Sequence, residues 1–260
     1  LTTPSAAQTR YFNRATRSAF TSDSRFLVFS VRPFYKDIKA VKDKKLKKEK
    51  LTKDSLYSVN LLTGEVSRIP NVASYKIPPK GGAAIAYMLE NLKDKSPAET
   101  GAKEGEEEKK DENAAAKPST LILKNLVSGK ETNFENVIRY EFSENGRQLA
   151  FITKEPAKKD TAKSAKKDKS KPVKYTLQSV NRVDVDKGVV EKLAEAEADF
   201  SQLAFDRTGA QLSFVGTNSA ENDLVKDYQL YFFNGKKKTV LANNHPDLPQ
   251  DWVISENRKP

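Results

Sequence analysis

The side chains that enzymes use for nucleophilic, acid–base or metal chemistry are scarce in this sequence. Among 260 residues there is one histidine, His245, and there is no cysteine. A hydrolytic triad needs a nucleophile, a base and an orienting group held together, and no Gly-x-Ser-x-Gly elbow occurs. His245 lies among turn-forming residues at 243–247, which favours a solvated loop over a catalytic role. A zinc site is not expected with one histidine and no cysteine.

The remaining candidates for chemistry favour structural roles. Asp184 and Asp186 flank strand residue Val185 and could hold a calcium ion, but paired surface acids are common. Trp252 is expected to be a core residue. No glycine-rich phosphate loop precedes a helix, and the glycines expected in tight turns are Gly64, Gly129, Gly188 and Gly235. We therefore predict no catalytic residue, no cofactor-binding residue and no metal ligand in this chain.

A short phrase recurs along the chain and specifies its architecture. An aromatic strand end, a polar turn and a second strand follow one another at 20–29, 142–151 and 205–214. A weaker copy occupies 77–87, and a fifth begins at Ile254. Each copy except the fifth is followed by a second hairpin with its own turn glycine. Two hairpins per repeat make four strands, the sequence signature of a β-propeller blade.

The predicted fold class is therefore all-β. We expect a β-propeller segment of about four four-stranded blades plus the first strand of a fifth, forming an open arc of a larger propeller. A β-sandwich with similar strands by chance is the alternative. The predicted blades are 19–72, 73–137, 138–198 and 199–246, with 247–260 starting the next blade.

The second strand of each blade is expected to be buried between neighbouring blades, since its apolar run is nearly continuous. Small residues alternate with large ones there, which suits close packing against the next blade. The end blades are expected to present uncovered apolar faces around 26–31 and 228–233. The equivalent buried positions are predicted to be Leu27, Phe29, Ile85, Tyr87, Leu149, Phe151, Leu212 and Phe214.

Three polar insertions, at 36–53, 91–117 and 155–172, carry most of the charge. Their net charges are +6, −2 and +4, which leaves +3 of the total +11 on the repeats. They lack the interleaved aromatic and arginine side chains that nucleic-acid recognition favours. We predict no nucleic-acid partner, and we expect weakly ordered loops or short surface helices that all emerge between the second and third strands, on one face.

Composition limits the compartment and the membrane topology. No apolar run approaches the ~18 residues of a spanning helix, so no membrane span is predicted. The absence of cysteine is compatible with the cytoplasm or with a bacterial periplasm. The sequence has no signal-peptide pattern at its start and stops within a repeat, so we expect a piece of a longer protein.

Particular residues carry a resemblance to a known family. The turns Asp23-Ser24-Arg25 and Asn145-Gly146-Arg147, each followed by Leu-x-Phe or a similar strand, resemble the repeat of TolB-like propellers. The stretch 29–36, the lysines after it, and 53–56 with 62–66 look like the propeller of large bacterial prolyl-oligopeptidase-family serine peptidases. In that family the propeller precedes an α/β-hydrolase domain and forms a filter or docking wall over its active site. None of the family's catalytic motif has a counterpart here.

The resemblance implies a function for the parent rather than for this chain alone. We expect a non-catalytic propeller segment of a periplasmic or secreted serine peptidase, which gates or docks peptide substrates for a C-terminal α/β-hydrolase domain. This chain itself is not expected to be an enzyme and needs no cofactor. The alternative is a stand-alone TolB-like propeller that serves as a protein-interaction scaffold.

Overall fold

The computed structural model describes residues 10–43, 53–89, 119–155, 176–219 and 226–241, and the single residues 223, 246, 249 and 254. The first blade contains β1 (Ala15–Phe20), β2 (Phe26–Val31), β3 (Ser55–Asn60) and β4 (Val66–Ile69). The next strands are β5 (Val72–Lys76), β6 (Ala84–Leu89), β7 (Ser119–Asn125) and β8 (Glu131–Phe142). They are followed by β9 (Gln148–Lys154), β10 (Leu177–Asp184) and β11 (Val190–Glu197). The last blade contains β12 (Asp199–Phe205), β13 (Leu212–Thr217), β14 (Tyr228–Phe233) and β15 (Lys238–Leu241).

All neighbouring strands are antiparallel, and the described strands form an all-β arc of four blades. The sheets have the orders β1-β2-β3-β4, β11-β10-β9-β8-β7-β6-β5 and β12-β13-β14-β15. None of these sheets closes on itself, as predicted for an open arc. Pro249 and Ile254 are the only described residues in 247–260, the predicted start of the next blade, so the fifth blade stays a prediction.

The seven-stranded sheet joins two blades through β8. The first half of β8 pairs with β7, and the second half of β8 pairs with β9. Asn136, at the crossing, has a φ of 58°, a left-handed conformation that asparagine adopts more readily than most residues. The predicted boundary between 137 and 138 therefore falls inside one continuous strand. The first blade also begins earlier than predicted, because β1 starts at Ala15 rather than at residue 19.

The core consists of apolar layers between successive blades. Side chains of β2 and β3 pack against β5 and β6, those of β6 and β7 against β8 and β9, and those of β9 and β10 against β12 and β13. Tyr87, Phe151 and Phe214 face the preceding blade, whereas Ala86 and Ala150 face the following one. The small residues thus allow the close packing that the sequence predicted.

The predicted second-strand core is confirmed for seven of its eight residues, which are at most 3% exposed. Leu27 is only partly buried, because it lies on the outward face of the first described blade.

The prediction of uncovered faces at 26–31 and 228–233 is wrong for several of their large side chains. Phe29 is 1% exposed because Phe12 packs on it, with ring centroids 4.9 Å apart. At the other end, Tyr228 is buried, and Leu230 and Phe232 are partly buried. The N-terminal segment thus occupies the position that a preceding blade occupies elsewhere.

The three polar insertions fall between the second and third strands of the first three blades, as predicted. Helix α1 (Tyr35–Asp43) forms part of the first insertion and confirms a short helix there. Most of the three segments lies outside the described residues, so their placement on one face stays a prediction. In the described part of the chain, no helix is long and apolar enough to cross a membrane.

Candidate functional site

Two surfaces are built from polar contacts between blades, and the first is a ring of short turns. These turns, which we call the turn ring, join the first and second strands of each blade at 21–25, 77–83, 143–147 and 206–211. The amide of Gly82 donates to Ser22 Oγ over 2.8 Å, and the amide of Lys80 donates to the carbonyl of Glu144 over 2.9 Å. Asn145 Nδ2 donates to the carbonyl of Thr208. Consecutive blades are thus hydrogen-bonded to each other at one end of the arc.

Glycine is required where two of these turns meet. Gly81 has a φ of 100°, and a Cβ at this position would overlap the carbonyl oxygen of Asn145. Gly146 has a φ of 69°, and its Cβ would lie 2.5 Å from the carbonyl oxygen of Lys80. Both positions need the left-handed backbone that glycine adopts without penalty. The close approach of blades 2 and 3 therefore depends on glycine, which has no Cβ, at positions 81 and 146.

A charged cluster lies on the turn ring. Lys80 Nζ is 2.6 Å from Glu144 Oε1, and Arg207 Nε is 4.0 Å from Glu144 Oε2. The hydrogen bond from Lys80, followed by its charge, lowers the pKa of Glu144. Because Lys80 and Arg207 are largely exposed and Glu144 is partly exposed, the ion pairs contribute little to stability. They make this end of the arc a hydrated, charged surface.

The second surface consists of the first strands of the blades; side chains of β5 hydrogen-bond to β1 and to β8, which places these strands innermost in the arc. We call it the inner wall: β1, β5, residues 137–142 of β8, and β12. The hydroxyl of Tyr75 donates to the carbonyl of Arg17. Ser74 Oγ and Tyr140 Oη share a hydrogen bond of 3.1 Å. These contacts fix the spacing of the first three inner strands.

A lysine completes the link between blades 2 and 3. Lys76 Nζ donates to the carbonyl of Tyr140 over 3.0 Å and lies 2.5 Å from Glu141 Oε2. Burial raises the pKa of Tyr140 to about 12, against the hydrogen bond from Ser74, which lowers it. Tyr140 is therefore a neutral phenol near neutral pH and acts as a hydrogen-bonding group rather than as a base.

The last two blades are joined by a buried amide. Gln178 is 2% exposed. Its Oε1 accepts a hydrogen bond of 3.0 Å from the amide of Phe200, and its Nε2 donates to Asp199 Oδ1 over 3.4 Å. The Gln178 side chain thus provides the acceptor for the Phe200 amide, which the β12–β13 ladder leaves unpaired. Each junction between described blades therefore contains a specific polar contact.

Two guanidinium groups on the inner wall are exposed. Arg17 and Arg139 both lie three residues before the aromatic end of their inner strands. Neither side chain has an ion-pair partner among the described residues. Arg17 has a φ of 53°, and the equivalent Gln202 has a φ of 56°, which places a β-bulge in each of these two strands. An exposed guanidinium presents several donors that suit a carboxylate.

The predicted site residues divide into described and undescribed ones. Asp184 accepts hydrogen bonds from the amides of Asp186 and Lys187, so it caps its own turn. The four predicted turn glycines all have a positive φ, between 71° and 88°. No group of three metal-ligating side chains occurs among the described residues. His245 and Trp252 lie outside them, and their roles stay predictions.

Sequence reasoning missed the polar contacts between inner strands. Several of them use backbone carbonyls, such as those of Arg17 and Tyr140, which have no sequence signature. The hairpin turns, by contrast, do carry a sequence signal. An asparagine or aspartate begins the turn of each second hairpin, and its side-chain oxygen accepts hydrogen bonds from the backbone amides two and three residues ahead. These four residues are Asn60, Asn125, Asp184 and Asn234.

Comparison with known proteins identifies the fold. No family model matches the sequence, and no curated protein matches it. The uncomplexed acylaminoacyl peptidase of Pyrococcus horikoshii is similar with a TM-score of 0.50 at 11% identity, over 88% of this chain and 32% of that one. The β-propeller domain of the Trilobed protease from Pyrococcus furiosus has a TM-score of 0.48 at 13% identity, over 87% of this chain and 56% of that one. An oligogalacturonate lyase in complex with manganese has a TM-score of 0.48 at 18% identity, over 95% and 57%.

These identities are low, so the similarities show the fold and not the activity. The chain spans about a third of the length of the acylaminoacyl peptidase. The predicted resemblance to peptidase propellers is confirmed at the level of the fold. This chain is a β-propeller segment of four described blades in an open arc.

Proposed function

We propose that this chain is the non-catalytic propeller segment of a prolyl-oligopeptidase-like serine peptidase. In this proposal it docks or gates peptide substrates for a catalytic α/β-hydrolase domain that lies outside these 260 residues. The observation that carries the proposal is the inner wall, on which Arg17 and Arg139 are exposed at the same position of their repeats.

The chemistry of the inner wall suits peptides. A guanidinium forms charge-assisted hydrogen bonds with a carboxylate, either at a peptide C-terminus or on an acidic side chain. Because the first three inner strands are linked by hydrogen bonds of Ser74, Tyr75 and Lys76, the wall is preorganised. A preorganised surface loses little conformational entropy when it binds a ligand.

The fold supports the assignment to a peptidase. The acylaminoacyl peptidase of Pyrococcus horikoshii has a similar fold over most of this chain, which corresponds to about a third of that enzyme. A propeller segment of a longer peptidase would likewise correspond to only part of its parent. We further propose that the parent is periplasmic or secreted.

Peptide binding to the inner wall tests the docking role. Fluorescence anisotropy would compare two labelled hexapeptides that differ only in a free or an amidated C-terminus. We expect the free carboxylate to bind about fivefold more tightly at low salt. The double variant Arg17→Gln/Arg139→Gln should lose this preference, because both guanidinium groups are gone.

Arginines on the turn ring provide the matched control. Arg25 and Arg147 are also exposed, and the double variant Arg25→Gln/Arg147→Gln has the same change in net charge. It should keep the preference for the free carboxylate. Equal binding of the two peptides by the wild-type chain, or an equal loss in both double variants, would refute the docking role.

A further inference from the structure

A groove opens where β8 passes from one blade to the next. Residues 131–134 of β8 pair with β7, and β9 pairs with β8 only from Val137 onward. On the side of β9, the first half of β8 therefore has no strand partner among the described residues. The space between these two strands forms a groove of about 440 Å³, which we call the fork groove. Asn133, Phe134, Glu135 and Asn136 line it in succession, as expected where a groove follows a strand edge.

The backbone of Asn133 points to this free edge. The carbonyl of Lys130 accepts a hydrogen bond from the amide of Asn125, so Lys130 belongs to a hydrogen-bonded pair. In an antiparallel ladder such pairs alternate with non-hydrogen-bonded ones. The continuing register, Thr132 with Leu123 and Asn133 with Ile122, leaves the amide and carbonyl of Asn133 directed away from β7.

The floor of the fork groove is aromatic. The rings of Phe134 and Phe151 are 4.6 Å apart between centroids, and Phe134 is only partly buried. Asn181 is 8% exposed and adjoins a bulge in the β10–β11 ladder. Its amide nitrogen has a weak 3.5 Å contact with the carbonyl of Ser179. An apolar side chain can lie on the floor while this amide pairs with a peptide group.

The charges beside the groove favour a basic ligand. Glu195 is 2.6 Å from Lys192 and accepts a hydrogen bond from Ser179, so its charge is neutralised. The other charged lining residues are Glu135, Glu155 and Lys154. Two carboxylates against one ammonium leave a net negative charge at the groove.

We infer that the fork groove binds an extended basic peptide segment of a partner by strand addition to β8. The peptide would pair its backbone with the amide and carbonyl of Asn133, place an apolar side chain on Phe134 and Phe151, and direct a lysine or arginine toward Glu135. Recognition of this kind obtains affinity from main-chain hydrogen bonds and specificity from the alternate side chains. It goes beyond the proposed function, because the groove lies away from the inner wall and needs no hydrolysis.

The test uses a fluorescein-labelled peptide with a central phenylalanine, threonines on both sides and a lysine at each end. Anisotropy should show saturable binding below about 1 mM. An otherwise identical peptide with N-methylated alternate amides cannot donate the strand hydrogen bonds and should bind about tenfold more weakly. Since only the probe changes, this comparison does not depend on the folding of any variant.

The variants locate the site. Asn133→Pro removes the amide that points to the free edge and should weaken binding about tenfold. Arg68→Pro is the matched control. Arg68 lies on β4 three residues after Glu65, whose carbonyl accepts from the amide of Asn60. Asn133 likewise lies three residues after Lys130, whose carbonyl accepts from the amide of Asn125. The Arg68→Pro variant should bind like the wild-type chain. Phe134→Ala should weaken binding about fivefold by removing part of the floor.

Three results would overturn the inference. The first is the absence of saturable binding, and the second is equal binding of the methylated and unmethylated peptides. The third is equal weakening by Asn133→Pro and Arg68→Pro while both variants melt like the wild-type chain.

Discussion

Phe142 and Phe20 occupy the same position of the repeat, yet Phe142 is 6% exposed and Phe20 is 60% exposed. Each ends an inner strand and pairs with a leucine at the start of the second strand, Leu149 or Leu27. Phe142 packs in an apolar layer with Met88 of the preceding blade. Blade 1 is the first described blade, so Phe20 has no such layer. The phenyl group at this position is therefore a contact to the blade before it.

This difference predicts opposite outcomes for two identical substitutions. Phe142→Ala removes a buried ring and leaves a cavity between blades, so it should lower the free energy of unfolding by about 3–5 kcal/mol. Phe20→Ala should change it by less than about 0.5 kcal/mol, because the side chain is largely exposed. Urea denaturation of the two variants and the wild-type chain measures both values. Equal destabilisation would contradict the assignment of Phe142 as a buried contact to the preceding blade.

The turn ring gives a prediction about glycine. Gly129→Ala places a Cβ in open space at a φ of 71° and should cost about 1 kcal/mol of conformational strain. Gly81→Ala has a similar strain and also overlaps the backbone of Asn145, so it should cost about 1–3 kcal/mol more. Thermal or urea unfolding compares the two. If both variants are equally stable, the turns of blades 2 and 3 are not in contact.

The junction between the last two blades depends on the amide of Gln178. Gln178→Leu leaves the amide of Phe200 without its acceptor in a buried position, so it should lower the free energy of unfolding by about 1–3 kcal/mol. Gln211→Leu is the control, since Gln211 is exposed, and it should have an effect below about 0.5 kcal/mol. If the free energy of unfolding of Gln178→Leu equals that of the wild-type chain, this hydrogen bond does not stabilise the junction.

The raised pKa values of two tyrosines predict a loss of stability at alkaline pH. Burial, followed by the charge of Glu131, raises the pKa of Tyr87 to about 12, and burial also raises that of Tyr140 to about 12. The folded chain thus holds these phenolic protons more tightly than the unfolded chain, whose tyrosines titrate near 10.0. The stabilisation is complete below pH 10 and is lost as the pH rises toward 12.

The measurement is urea denaturation at a series of pH values, with tyrosinate absorbance recorded in parallel. Tyr87→Phe should reduce the decrease in stability between pH 10 and 12. Tyr35→Phe is the control, because Tyr35 is 76% exposed, and it should leave the decrease unchanged. An identical pH profile for Tyr87→Phe and the wild-type chain would contradict the assignment.

The fold was predictable because one phrase, an aromatic strand end followed by a polar turn and an apolar strand, recurs in each blade. Its glycines and buried positions, such as Gly129 and Phe151, lie where the repeat requires them. The passage of β8 between blades was not predictable, since 131–142 contains no glycine or proline. A single left-handed asparagine, Asn136, accomplishes the crossing.

The candidate surfaces were less predictable than the fold. The inner wall depends on hydrogen bonds to the carbonyls of Arg17 and Tyr140, and any residue type supplies a carbonyl. The exposure of Arg17 and Arg139 depends on which strands lie innermost, which composition and charge do not indicate. The repeat alignment does place both arginines at one position, and that was the available signal.

The central claim is that this chain handles peptides for a catalytic domain that it does not contain. The most direct measurement labels two proteins with a fluorophosphonate probe, which reacts with activated serines: the 260-residue chain and the longer protein that the proposal requires. Peptide hydrolysis is measured on both. The account predicts that the chain is unlabelled and inactive, and that the longer protein is labelled at a serine outside residues 1–260. Labelling within this chain, or a longer protein that is neither labelled nor active, would contradict it.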